Sequence, residues 1–215
     1  MRKVLAAMVL GMLLCAATTA PSPHSNGLVY TSPSGYSVEI PEDWEYGTGL
    51  MGADLFAIAP PDEGQEYGTA NFNVMVGDSG GLTLDQFYDA SLSGLESIVD
   101  GLKIDDSGNT DLGGMKAKWH IYTYPHYKMD LKVLQYVAVD GPTVYVLTFT
   151  TGEKDYNHYK STFKDVVDSF KMVSDQKPVQ TSFQPAEAGF RLGSDWLMER
   201  KSIEAITFLT RASVD

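Results

Sequence analysis

A chain of 215 residues whose only cysteine is Cys15 forms no intrachain disulfide and no cysteine-built zinc centre, so its order must come from a hydrophobic core. The formal net charge is −12, and residues 16–171 carry 22 acidic and 9 basic side chains, none of them arginine. Such a surface repels phosphate, which argues against nucleic acid and against anionic lipid. It fits the solubility of an exported protein first, and attraction of cations or of a basic partner second.

Residues 1–20 read as a signal peptide. Arg2 and Lys3 form the positive end, Val4–Leu14 the short apolar core, and Ala17 and Ala20 offer small residues for cleavage. Eleven residues are too few to span a bilayer. The expected location is periplasmic or extracellular. Membrane attachment would come only through lipid on Cys15, although the large Leu14 stands where a lipobox has a small residue. Residues 21–29 read as a linker of turn formers, 30–173 as the domain, and 174–215 as a tail.

Within the domain, Tyr36–Ile40 alternates apolar and polar residues as a half-buried strand does, and Pro41 stops it. Leu55–Ala59 and Ala70–Val76 read as two more strands around an acidic loop. A helix starts at Thr83: Gln86 three residues on completes a capping box, and Leu82 and Phe87 form a hydrophobic staple. Its apolar stripe runs through Leu84, Phe87, Tyr88, Ser91, Leu92, Leu95, Ile98 and Val99. Gly101 suits the stop. Residues 105–114, DDSGNTDLGG, read as a turn-rich connection.

Three strands follow, Met115–Tyr124, Asp130–Asp140 and Thr143–Thr151, the last two joined by a tight turn at Asp140-Gly141. The pattern then changes period. Tyr156, Tyr159, Phe163, Val166, Val167 and Phe170 line one face of a helix. The order β-β-β-α-β-β-β-α predicts an α+β fold, an antiparallel sheet of about six strands sandwiched with two main helices. Beyond Lys177-Pro178 arginine returns at positions 191, 200 and 211, and Ser194–Thr210 has the stripe of a short helix.

The stretches YTSPSGYSVEIPEDWEY, GGMKAKWHIYTY and VYVLTFTTGEKDYNHYKSTFKDVVDSF resemble the opening, the middle strands and the closing strand and helix of PsbP-like domains. The resemblance covers about residues 28–173. It implies an α/β/α sandwich and a non-enzymatic accessory or binding protein that assists or stabilises a protein assembly. The second reading is an exported protein that binds a small ligand or a divalent cation, and a hydrolase is a distant third.

No nucleophile elbow, phosphate loop or zinc-protease motif is present. No catalytic residue, cofactor or dedicated metal is expected. Asp105, Ser107, Asn109 and Asp111 have the alternating oxygens of a calcium loop, but Thr110 replaces the required glycine and Lys116 the terminal glutamate. Asp62, Glu63 and Glu66, with Asp54, offer weak cation binding at most. His120, His126 and His158 read as ordinary polar residues, His120 on the more solvated face of its strand with Lys116, Lys118 and Tyr122. The strongest candidate for contact with a protein partner is the cluster Tyr122, Tyr124, Tyr127 and Lys128, rimmed by Lys116, Lys118 and Lys132. Tyrosine supplies apolar area with a hydroxyl that tolerates water.

Overall fold

Ten strands and two helices form the described part of the chain, which in this computed structural model comprises residues 27–61, 70–127 and 129–173. The leader with Cys15, the loop acids Asp62, Glu63 and Glu66, Lys128 and the tail lie outside the described residues. In chain order the elements are β1 Leu28–Thr31, β2 Tyr36–Ile40, β3 Glu45–Thr48, β4 Leu55–Ile58 and β5 Asn71–Asp78. Next come α1 Leu84–Ile98, β6 Lys103–Leu112, β7 Met115–His126 and β8 Met129–Asp140. The last are β9 Thr143–Gly152, α2 Tyr156–Ser169 and β10 Lys171–Met172.

The α+β class is as predicted, with more strands than the sequence pattern shows. A seven-stranded antiparallel sheet has the order β3-β4-β5-β9-β8-β7-β6, and a three-stranded one the order β1-β2-β10. The stretch read as a turn-rich connection is the edge strand β6, paired along β7 from Lys103 to Leu112. Its mostly polar, small residues carry little strand propensity. The ladder with β7 supplies the stabilisation instead, a tertiary override of local preference. Likewise Leu28 and Val29, assigned to the linker, pair with Ile40 and Glu39. The only true turn in 105–114 is Gly113-Gly114, both at positive φ, as a two-residue hairpin needs. A Cβ on Gly113 would also stand 2.9 Å from the Phe170 ring and 3.3 Å from the Lys171 backbone.

Local signals place both helices. Thr83 caps α1 with the full capping box: the Gln86 amide donates to the Thr83 hydroxyl, and the Gln86 side chain accepts from the Thr83 amide. Phe87, Tyr88, Ser91 and Leu95 are buried as expected, whereas Ile98 in the last turn is half exposed. A single turn of 3₁₀ helix, Glu153–Asp155, precedes α2, whose Tyr156, Tyr159, Phe163 and Val166 are buried.

The two helices lie on opposite faces of the large sheet. Strand alternation sorts the residues: Leu131, Val133 and Val137 of β8 turn toward α1, and Leu134 and Ala138 toward α2. The α2 side is the main core. There Phe163 packs 4.7 Å from Phe149 and 6.1 Å from Tyr159, centroid to centroid, and Tyr36 of the small sheet stacks on Phe170 at 5.0 Å. The α1 side is held by two smaller clusters, around Phe87 with Val137, Val144 and Val146, and around Leu95 with Tyr122, Leu131 and Val133.

Phe163 is 1% exposed at the centre of the larger core. Its truncation to alanine removes a buried ring and leaves a cavity. Urea denaturation of Phe163→Ala should show a loss of about 3–5 kcal/mol. A loss below about 1 kcal/mol would place the ring outside the core.

Candidate functional site

The tyrosines singled out in the sequence do not form one surface cluster. Tyr122 and Tyr124 share a face of β7 as alternation demands, but that face lies under α1. They are 1% and 6% exposed, packed with Leu95, Leu131 and Val133. Burial raises both hydroxyl pKa values, that of Tyr124 to about 12. The cross-strand partners Val133 and Leu131 were the available signal: they make an apolar row with the two tyrosines. His120 lies on this face too. It is fully buried instead of solvated, with Tyr88 and Tyr122 rings 5.2 and 5.5 Å away. The lysine pattern misled because Lys118 reaches out of the layer to Asp85 of α1, at 2.6 Å, across the Tyr88 ring.

Nor do Lys118 and Lys132 belong to one basic rim. Lys132 is committed to Asp105 at 2.8 Å and sits over the Tyr156 ring, while Lys118 is committed to α1. The ion pair and the Thr123 hydroxyl hold the Asp105 carboxyl below the usual range. Asp105, Ser107, Asn109 and Asp111 follow an extended strand that does not wrap around an ion. Among the described residues no group of three or more His, Cys, Asp or Glu side chains is arranged to hold a metal.

Tyr127 is different. It occupies the turn between β7 and β8, 89% exposed, with a left-handed φ of 51°. Its ring meets His126 edge-on at 4.6 Å, and His126 meets Tyr124 at 6.3 Å. Tyr124 stacks on Tyr122 at 6.1 Å. A file of rings therefore runs from beneath α1 to the hairpin tip, where Met129 is also exposed. Of the predicted cluster, only Tyr127 among the described residues presents its ring to solvent.

A second polar centre had no local signal in the sequence. The Asp54 carboxylate, just before β4, accepts hydrogen bonds from Ser32 Oγ (2.6 Å), Ser34 Oγ (2.9 Å) and Tyr36 Oη (2.7 Å). The donors belong to the β1–β2 turn and β2, so the carboxylate ties the small sheet to the large one. Tyr145 of β9 adds a hydrogen bond from its hydroxyl to the Ser34 carbonyl at 3.1 Å. Burial first, and then the charge of Asp54, raises the pKa of the Tyr36 and Tyr30 hydroxyls, so both stay protonated and Tyr36 remains a donor to Asp54. Every donor aimed at Asp54 comes from the fold itself, which makes this centre a fastening. Asp54→Ala leaves the two serines and Tyr36 without their charged acceptor. The variant should lose about 2 kcal/mol in urea denaturation, and an unchanged midpoint would show the network to be ornamental.

No protein-family model matches this chain, and no curated protein matches it by sequence. Solved structures do match. The solution structure of cyanobacterial PsbP (CyanoP) from Synechocystis sp. PCC 6803 is 14% identical, with a TM-score of 0.53, over 73% of this chain and 98% of that one. LpqN of Mycobacterium tuberculosis, described as involved in cell envelope biogenesis, is 13% identical with a TM-score of 0.51, over 64% and 83% of the two chains. The Pseudomonas aeruginosa protein PA94, of unknown function, is 19% identical with a TM-score of 0.47, over 65% and 92%. At these identities the likeness to CyanoP and LpqN is one of fold, and the fold is the PsbP-like sandwich that the sequence resemblance implied.

Proposed function

We propose that this chain is an exported, non-enzymatic accessory protein that docks a protein partner through the β7–β8 hairpin tip. The observation that carries this is Tyr127. Left-handed backbone in a non-glycine residue costs of the order of 1 kcal/mol, and exposing a large ring forgoes its burial. The turn carries both costs, and among the described residues the ring packs on His126 at the strand end and stays 89% exposed.

A tyrosine held this way suits an interface. It offers rigid apolar area, a hydroxyl that tolerates water, and little side-chain entropy to lose on binding. The rings of Tyr124 and Tyr122 beneath it anchor the hairpin, so the tip is preorganised. Export is supported by the Arg2-Lys3 end and the short apolar core of the leader. Among the described residues no helix is long and apolar enough to cross a membrane. CyanoP and LpqN support the accessory role by analogy of fold.

Replacing Tyr127 by glycine separates the site from the fold. Glycine adopts the left-handed turn without strain, so Tyr127→Gly should be as stable as the parent or up to about 1 kcal/mol more stable. A photo-cross-linking residue at position 127 should give one discrete protein adduct in the envelope fraction of the source cell. The same residue at exposed Asp111 on β6 should not. Identical adduct patterns at the two positions would remove the site.

A further inference from the structure

We propose that helix α1 is an acid-released layer: protonation of His120 frees it from the large sheet while the aromatic side of the sandwich stays folded. This inference is independent of the hairpin tip and concerns the opposite end of the ring file. His120 has no solvent exposure, and among the described residues neither ring nitrogen has a hydrogen-bond partner. A neutral imidazole there leaves one donor and one acceptor unpaired. An imidazolium leaves two donors unpaired and adds a buried charge.

Among the described residues no free carboxylate faces that charge. From α1 the Tyr88 ring covers the imidazole, and on β7 the Tyr122 ring lies beside it. Across the sheet its register partners are the neutral Gln135 of β8 and Ser107 of β6. The Gln135 amide already donates to Thr148 Oγ1 at 2.9 Å. The charged neighbour on the same face of β7 is Lys118, another cation. The carboxylates on that side of α1 are Asp85 and Asp89, both exposed, and Asp85 is paired with Lys118. An imidazolium would add to the positive charge already on that face and would find Asp85 engaged.

Burial lowers the His120 pKa from 6.5 to about 4. In the closed state the ring takes a proton only near pH 4, whereas in an open state it does so near its ordinary value. The open state therefore binds more protons between these limits. The advantage of the closed state is complete above about pH 6.5 and is lost as pH falls toward about 4.

The consequence is local because the layers are unequal. α1 is held by the two small clusters around Phe87 and Leu95, and the larger aromatic core lies on the other face. The helix interior carries Ser91, Ser93 and Gly94, which favour it weakly. Its two ends leave through Gly80, Gly81 and Gly101, all at positive φ. Release would bare Phe87, Tyr88 and Leu95 on the helix, and Tyr122, Val133 and Val137 on the sheet.

Hydrogen exchange of the full chain at about pH 7 and about pH 4.5, corrected for intrinsic rates, tests this. Peptides from 84–98 should lose about 50-fold in protection at the lower pH, while those from 143–152 keep theirs. His120→Gln should abolish the difference. The proposal falls if the α1 peptides stay protected, if β9 opens with them, or if the loss persists in His120→Gln. Should that variant not fold, NMR titration of His120 in the unaltered chain decides. An imidazole ionising near 6.5 with α1 still protected overturns the proposal. Ionisation well below that value, coupled to loss of the α1 signals, upholds it.

Discussion

Everything in this fold is arranged around burying β9 on both faces. Nine of its ten residues, Val144–Gly152, are buried, and it pairs with β5 on one side and β8 on the other. A strand in that position must be covered above and below, and α1 and α2 do this. Val144 and Val146 point toward α1, and Tyr145, Leu147 and Phe149 toward α2. The connection to α2 is short, one 3₁₀ turn after Gly152, so the helix folds back onto the strand that precedes it. Phe149 against Phe163 is thus a nearly local contact that closes the larger core.

What was legible follows from that locality. The capping box, the period of α2, the β8–β9 turn and the β2, β7 and β9 strands are written in residues close together in sequence. What was illegible depends on partners far away. β6 is a strand because β7 lies beside it. Asp54 became a centre because residues 18–22 positions earlier turn their hydroxyls to it. The solvated face assigned to His120 and Tyr122 followed the lysines on β7, and only the position of α1 shows that this face is inside. Of the candidate contact residues, Tyr127 was placed correctly at a turn. Tyr122 and Tyr124 were assigned the right face of the strand and the wrong environment.

The two sides of the sheet differ in chemistry. Toward α2 the contacts are ring on ring, from Trp44 and Phe72 through Phe149 and Phe163 to Tyr36 and Phe170. Toward α1 the buried surface includes Asn71, Asn73, Thr148, Thr150, Gln135 and His120. Several of their polar atoms, Asn71 Oδ1 and Thr150 Oγ1 among them, have no partner among the described residues. Each such atom gives back part of what burial contributes. The α2 side therefore sets global stability, and the α1 side is where partial opening costs least.

The exposed edges complete the argument. β3 is four residues long, which limits what can pair with it, and β6 carries Asp105, Asp106 and Asp111 with a register shift between Ile104 and Asp106. Short edges, charges and bulges are the ordinary defences against edge-to-edge association. With both edges of the large sheet defended in this way, strand addition is disfavoured as a mode of partner binding. The turns at the ends of the sheet remain. Among those of the described residues, the β7–β8 turn is the one that presents a large aromatic ring to solvent with its backbone held in the left-handed region. The defended edges and the exposed Tyr127 ring at the tip thus lie at different places on the same sheet.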